Sequence, residues 1–93
     1  ESRKQLRCVV VIMDIRHEAK KYDGELLFWL RQKNIPVVAV YTKADKLSGN
    51  QRDKNARALD AGHGISTSER ILFSSKTGLG VEKLKEKLLT TLE

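Results

Sequence analysis

The chain has little of what several large classes of protein require. Cys8 is its single cysteine, so no disulfide can form within the 93 residues, and we expect the reducing cytoplasm as its compartment. The longest apolar run, Cys8 to Met13, is far shorter than the roughly 18 residues of a membrane-spanning helix. One proline and five aromatic residues (two Phe, two Tyr, one Trp) exclude a proline-rich linker and an RNA-binding surface with interleaved aromatics.

What is present fits one small globular domain. Forty per cent of the residues are hydrophobic and 32% are charged, and the net charge of +6 is compatible with contacts to RNA phosphates. Residues 1–7 are charged and lack the apolar centre of a signal peptide. They resemble the tail of a surface helix. We therefore expect residues 1–93 to be a single partial domain of a longer protein.

Apolar runs of strand length occur at three places. Cys8 to Met13 is β-branched and unbroken, which is typical of a strand covered on both faces, with Cys8 as a small buried residue. Ile35 to Tyr41 predicts a second buried strand that ends at Thr42. Arg70 to Phe73 predicts a third, shorter one.

Each predicted strand is followed by a predicted helix. Asp23 is the expected N-cap of the first helix, and Ser48 with Gln51 forms a capping-box pattern for the second, over 49–61, which Gly62 is expected to close. The third helix is expected to follow Gly80. The apolar stripes expected in the core are Leu26, Leu27, Trp29 and Leu30 in the first helix, Ala56 and Leu59 in the second, and Val81, Leu84, Leu88 and Leu92 in the third.

The order strand, helix, strand, helix, strand, helix predicts an α/β fold, a three-layer parallel βαβαβα sheet. Ligands of such sheets bind at the carboxyl ends of the strands. The polar groups expected there are Asp14 with Arg16, residues 42–45 and residues 74–76.

Thr42-Lys43-Ala44-Asp45 follows the second predicted strand and suits recognition of guanine. The Asp45 carboxylate can accept hydrogen bonds from N1 and N2 of guanine, a pair that adenine does not offer. The Lys43 stem can lie along the face of the base. A buried site built for such a pair rejects the wrong base by about 10⁴ or more, because its own polar groups would go unpaired.

Ser74-Ser75-Lys76 follows the third predicted strand, which a parallel sheet places beside the second. The backbone N–H of Ser75 could donate to O6 of guanine, where adenine carries a donor instead. Ser74 could hold the Asp45 carboxylate, and Phe73 and Lys76 could flank the base.

These residues carry a resemblance to a known family. Residues 42–45 resemble the (N/T)KxD guanine motif of P-loop GTPases, and residues 74–76 resemble their SAK motif. Residues 13–17 (MDIRH), 29–30 (WL), 34–37 (NIPV) and 42–48 (TKADKLS) resemble the EngB (YihA/YsxC) bacterial GTPases. The nucleotide-binding residues that the resemblance indicates are Thr42, Lys43, Ala44, Asp45, Phe73, Ser74, Ser75 and Lys76.

The resemblance covers the carboxyl-terminal half of such a GTPase domain. It implies binding of GTP or GDP with Mg²⁺ and a role in assembly of the large ribosomal subunit, cell division and septation. The chain contains no GxxxxGK(S/T) phosphate loop, no switch threonine and no DxxG motif. We therefore expect the phosphate-binding half and the Mg²⁺ ligands outside this chain, no catalytic residue within it, and no hydrolysis by it alone.

Two other functions remain open. The chain could be a noncatalytic basic module that binds ribosomal RNA or protein without nucleotide. Asp14 could be the acidic site of a receiver-like or other three-layer α/β domain, although the remaining acidic cluster is missing. A structural role for Asp14, holding backbone or an arginine at the end of the strand, is favoured over direct contact with a nucleotide. Neither His17 nor His63 has a metal-ligand spacing around it. The strand from Cys8 to Met13 would be an open sheet edge, and we expect it to favour self-association.

Overall fold

The computed structural model describes residues 8–92, so the expectation for residues 1–7 lies outside the described residues. Three strands alternate with three helices. Two short 3₁₀ turns, Ala44–Lys46 and Thr67–Glu69, lie in the connections. The strands are β1 (Val9–Asp14), β2 (Val37–Thr42) and β3 (Arg70–Leu72), and the helices are α1 (Lys21–Gln32), α2 (Gly49–His63) and α3 (Val81–Leu92).

The three strands form one parallel sheet in the order β1-β2-β3. In the register of the sheet Asp14 lies opposite Thr42, and Tyr41 lies opposite Leu72. The carboxyl ends of all three strands therefore meet at one edge of the sheet, with the end of β2 in the middle. The predicted α/β fold and strand neighbours are confirmed.

The sheet is the middle of three layers. Helices α1 and α2 cover one face, where their apolar side chains pack on the alternate residues of β1 and β2. Helix α3 covers the other face over β2 and β3. The buried residues on the first face are Val11, Met13, Ile15, Leu27, Leu30, Ala39, Tyr41, Ala56, Leu59 and Ile65, and on the second face Val38, Val40 and Ile71.

Strand β1 is covered on one face only, so the expectation of burial on both faces is wrong. Val11 and Met13 are buried, whereas Val10 is 37% and Ile12 is 66% exposed. The physical reason is that α3 lies over β2 and β3 and no described element covers the same face of β1. Cys8 precedes the strand and is only half-buried.

Helix α1 starts earlier than its capping residue predicted. Lys20 occupies the N-cap position without a side-chain hydrogen bond. Asp23 lies in the first turn, where its negative charge interacts favourably with the positive end of the helix dipole. The expectation that Trp29 belongs to the core is wrong, because its side chain is 50% exposed. Leu26 is likewise 41% exposed, and Leu27 and Leu30 alone form the buried face.

Helix α2 begins as predicted and ends later. The Ser48 hydroxyl accepts a hydrogen bond from Gln51 N at 3.3 Å, which is the expected N-cap. The helix continues through Gly62 to His63, and Gly64 ends it with φ 64°, the left-handed conformation that glycine adopts without strain. Gly62 is therefore not the terminating residue.

Helix α3 packs closely on the sheet at its first turn. Gly80 has φ 80°, and a Cβ there would lie 2.3 Å from Leu72 O, so only glycine fits. Val81, Leu84 and Leu88 are half-buried, and the side chain of Leu92 lies outside the described residues. Within residues 8–92, none of the helices has the length and apolar character that crossing a membrane requires.

Candidate nucleotide-binding site

The chain turns sharply at the carboxyl end of β2. Lys43 adopts φ 65°, a left-handed conformation, and the 3₁₀ turn Ala44–Lys46 follows directly. Ala44 is fully buried and its N–H donates to Phe73 O at 3.1 Å. This backbone hydrogen bond joins the turn after β2 to the end of β3. The two predicted motifs are therefore adjacent in the fold.

Arg52 of α2 supports this turn, a role that no motif in the sequence predicted. Its Nε donates to Ala44 O at 3.1 Å and its Nη2 donates to Leu47 O at 3.3 Å. A half-buried guanidinium thus satisfies two carbonyls that face the start of α2. The only sequence signal for it is a basic residue in the first turn of the helix that follows the motif, which is too common to be specific.

Ser74 ties the loop after β3 to Asp45. Its hydroxyl donates to Asp45 Oδ1 at 2.8 Å and accepts from Thr77 N at 3.2 Å, and the side chain is fully buried. Its backbone N–H donates to Leu79 O at 3.0 Å. A buried hydroxyl that donates once and accepts once is satisfied, so it holds the Asp45 rotamer without leaving a buried polar group unpaired. The predicted contact between Ser74 and Asp45 is present.

Several polar groups of the two loops point to solvent rather than to protein. Lys43, Ser75 and Lys76 are exposed. Within residues 8–92, the N–H of Ser75 donates to no protein acceptor, and Asp45 Oδ2 accepts no hydrogen bond from another residue. The loops therefore present an unused amide donor and an unused carboxylate oxygen.

The Asp45 carboxyl is held in its charged form. The hydrogen bond from Ser74 lowers its pKa most, partial desolvation opposes this, and the Asp45 backbone N–H and the charges of Lys46 and Lys76 add to the lowering. An ionised carboxylate can only accept hydrogen bonds. It is therefore the right partner for two adjacent N–H donors of a ligand.

Thr42 and Phe73 have mainly scaffolding contacts. The Thr42 hydroxyl donates to Met13 O at 3.3 Å, and Thr42 O accepts from Ile15 N at 3.0 Å. The half-buried Phe73 ring packs against the core beneath α3. Their contacts position the turn after β2 between the ends of β1 and β3.

The end of β1 carries an ion pair beside the same edge. Asp14 accepts hydrogen bonds from Arg16 N at 2.9 Å, Arg16 Nε at 3.0 Å and Arg16 Nη2 at 2.7 Å. The hydrogen bonds from the Arg16 side chain are the largest of the causes that lower the pKa of Asp14 to about 2. Asp14 thus holds an arginine and its backbone, as the structural interpretation of this residue predicts.

The described residues do not fit a protein-ligated metal ion. Among residues 8–92, no three His, Cys, Asp or Glu side chains come together in a geometry that could hold one. Asp14 is engaged by Arg16, and Asp45 by Ser74. The described residues therefore offer no ligand set for Mg²⁺.

The fold is that of a P-loop GTPase, which solved structures of similar shape bear out. Translation elongation factor SelB from Methanococcus maripaludis, in its apo form, matches with a TM-score of 0.78 and 29% identity over 91% of this chain and 19% of its own. A probable GTP-binding protein EngB matches with a TM-score of 0.75 over 95% of this chain and 57% of its own, and at 24% identity this likeness concerns the fold alone.

At the level of sequence, the chain is similar to a C-terminal portion of EngB proteins. It is 62% identical over 82 residues to the probable GTP-binding protein EngB of Desulfotalea psychrophila, across 88% of this chain and 42% of the relative. It is 40% identical over 90 residues to that of Desulforapulum autotrophicum, across 97% and 46%. The chain thus spans less than half the length of these relatives. No protein-family model matches it.

Proposed function

We propose that this chain binds guanine nucleotides through the loops that follow β2 and β3. The observation that carries the proposal is the 2.8 Å hydrogen bond from Ser74 to Asp45, which fixes a charged carboxylate beside the unused N–H of Ser75. The similarity to proteins named GTP-binding supports the same ligand.

The roles of the side chains follow from guanine chemistry. Asp45 accepts from N1–H and the N2 amino group, and Ser75 N–H donates to O6. Adenine reverses the hydrogen-bonding character at both positions, so it leaves the carboxylate and the amide unpaired. The exposed stem of Lys43 covers one face of the base, and Lys76 flanks it.

The test is a titration of the ¹⁵N-labelled chain with guanosine and, as the matched control, adenosine. We expect guanosine to shift the amide resonances of residues 43–46 and 74–76 at millimolar concentration, since only the base-reading half of a site is present, and adenosine to leave them unchanged. Equal shifts with both nucleosides, or none with guanosine at solubility, would remove the proposal. A noncatalytic module that binds without nucleotide would give the second result.

For a longer protein that contains this chain, we propose GTP hydrolysis with Mg²⁺ in the cytoplasm. The support is the resemblance of the motifs in residues 42–48 and 74–76 to GTPases. Because the phosphate loop is not among these 93 residues, we expect no phosphate release from GTP by the chain itself. If the chain alone released phosphate from GTP, and Asp45→Asn abolished that release, the assignment of hydrolysis to residues outside this chain would be wrong.

We further propose that such a protein acts in assembly of the large ribosomal subunit, and through it in cell division and septation. The resemblance to EngB and the net charge of +6 support this. Co-sedimentation of the chain with purified large subunits should fall steeply with salt, as contacts to RNA phosphates do. Co-sedimentation that is absent at low salt would argue against a docking role for this portion.

The open edge of β1 favours a second copy as a further partner. Within the described residues β1 pairs with β2 only, and Ile12 is 66% exposed beside that edge. Unpaired edge strands with apolar side chains promote strand pairing between molecules. Light scattering should show dimers or larger species that Ile12→Lys reduces, and a monomer at high concentration would refute this contact.

A further inference from the structure

The loop after β1 holds Arg16 in a fixed position next to the candidate site. Ile15 is fully buried, its N–H donates to Thr42 O at 3.0 Å, and its carbonyl accepts from Asn55 Nδ2 at 3.0 Å. Both backbone polar groups of Ile15 are thus hydrogen-bonded, one to β2 and the other to α2. The backbone of Arg16 therefore has little freedom.

Asp14 then orients the Arg16 side chain. Its two carboxylate oxygens take Nε and Nη2 of the guanidinium at 3.0 and 2.7 Å, a bidentate arrangement. The Arg16 side chain remains 42% exposed, and exposed ion pairs contribute little to stability. Because the two hydrogen bonds add little stability, we interpret them as holding the long Arg16 side chain in position for a ligand.

The guanidinium has spare hydrogen-bond donors for such a ligand. The two N–H groups of Nη1 and the second N–H of Nη2 have no acceptor within residues 8–92. The hydrogen bond to Asp14 is the largest cause that raises the pKa of Arg16, and the negative charge of Asp45 is a smaller one, so Asp45 lies within electrostatic range of Arg16.

The sheet order decides which part of a nucleotide Arg16 faces. β2 is the central strand, so the turn after it has the loop after β3 on one side and the loop after β1 on the other. A base held between the loops after β2 and β3 places its ribose and phosphate outside that pair. The loop after β1, which carries Arg16, lies on the side of the turn after β2 that is opposite to the loop after β3. Guanidinium groups bind phosphate oxygens well.

We propose that Arg16, oriented by Asp14, is a nucleotide-contacting residue that binds the sugar-phosphate part of a guanine nucleotide whose base lies against Asp45. The inference rests on the proposed guanine binding and adds a phosphate contact to it. Asp14 is its positioning residue, because it acts through Arg16.

The experiment compares guanosine with GMP on the chain, by amide titration at matched ionic strength. We expect GMP to bind several-fold more tightly than guanosine. Arg16→Gln should lower GMP affinity about five-fold and leave guanosine affinity unchanged. Arg57→Gln is the matched control, since Arg57 is 76% exposed and pairs with Asp53 on its own helix, and it removes the same charge.

Two further variants separate orientation from charge. Arg16→Lys keeps the charge but loses the bidentate guanidinium, so it should retain only part of the preference for GMP over guanosine. The preference of Asp14→Asn should lie between those of Arg16→Gln and the unmodified chain. The same ratio of GMP to guanosine affinity in Arg16→Gln and Arg57→Gln would overturn the phosphate contact and leave guanine binding standing. An equal loss of both affinities would also overturn it, as the mark of a structural role. No guanosine binding in the unmodified chain would instead end the proposed function, and this inference with it.

Discussion

The hydroxyl of Ser74 donates to Oδ1 of Asp45 at 2.8 Å, and this contact joins two loops separated by 29 positions in the sequence. The donor is fully buried, whereas the acceptor keeps one oxygen for other partners. The pair therefore links the interior of the domain to the surface that we propose for guanine.

Ser74→Ala should lower both stability and binding. The change removes the hydroxyl that holds Asp45 and that accepts from Thr77 N at 3.2 Å. We expect a loss of about 1–2 kcal/mol in the free energy of unfolding, measured by urea denaturation, because a buried hydroxyl with two hydrogen bonds is lost. Ser75→Ala is the control, since we invoke only its backbone N–H. If Ser75→Ala weakened guanosine binding as much as Ser74→Ala, the proposed role of the Ser74 hydroxyl would be wrong.

Asp45→Asn should change the preference for the base. An amide presents a donor where the carboxylate presents an acceptor, so it pairs with O2 of xanthine and repels the N2 amino group of guanine. We expect at least about a ten-fold shift from guanosine toward xanthosine in the titration. Asp53→Asn, on the exposed side of α2, should leave the preference unchanged. An unaltered ratio in Asp45→Asn would exclude Asp45 from base recognition.

Asp14 should make stability fall in acid. Its pKa is about 2 in the folded chain against an ordinary 3.8, so its charged form contributes stability above the unfolded pKa. That contribution is lost as the pH falls from 3.8 through about 2. Because the pair with Arg16 is partly exposed, we expect Asp14→Asn to cost only about 1 kcal/mol at pH 7. The difference between the two proteins should shrink toward pH 2 in urea unfolding, and a difference independent of pH would contradict this assignment.

Gly80→Ala and Gly78→Ala should differ sharply. Both glycines have positive φ, 80° and 84°, but a Cβ at Gly80 would meet Leu72 O at 2.3 Å, whereas a Cβ at Gly78 meets nothing within 4 Å. We expect about 1 kcal/mol of destabilisation for Gly78→Ala, the cost of the backbone conformation alone. Gly80→Ala must in addition displace α3 from the sheet, so its unfolding midpoint should lie at a clearly lower urea concentration than that of Gly78→Ala. Equal midpoints would show that α3 shifts without cost.

His63→Leu should stabilise the fold. The His63 side chain is 7% exposed, and neither ring nitrogen has a hydrogen-bond partner in the described part of the chain. An apolar side chain of similar size removes the desolvation cost of these nitrogens, so we expect a gain of about 1 kcal/mol in thermal unfolding. His63→Gln keeps polar atoms in the same place and should give no gain. A loss of stability in His63→Leu would mean that the imidazole forms a hydrogen bond in solution.

The elements predicted most accurately were those whose signal is local. The Ser48 cap depends on a hydrogen bond to Gln51, three residues away, and the third helix begins directly after Gly80 as predicted. Helix ends that depend on distant partners were less predictable. α2 runs past Gly62 to Gly64, and Arg31 of α1 donates to His63 O and Gly64 O at 2.9 Å. No local sequence pattern predicts these hydrogen bonds from Arg31.

The burial of apolar residues was the property that the sequence predicted least well. Trp29 and Ile12 look like core residues in the sequence, yet they are 50% and 66% exposed. Hydrophobic spacing identifies which side of a helix or strand is apolar. It does not state whether another element covers that side, because coverage depends on how far α3 reaches across the sheet.

The amino-acid sequence by itself determined the alternation of strands and helices, the parallel sheet and the residue types in the two loops that we propose for base recognition. These follow from β-branched runs, helical spacing and short motifs, all of which are local properties of the chain. Only the tertiary structure decided that Ser74 contacts Asp45, that Arg52 supports the turn after β2 and that Asp14 holds the Arg16 guanidinium. Such contacts need side chains from different elements within hydrogen-bonding distance, and that distance is set by the packing of the three layers.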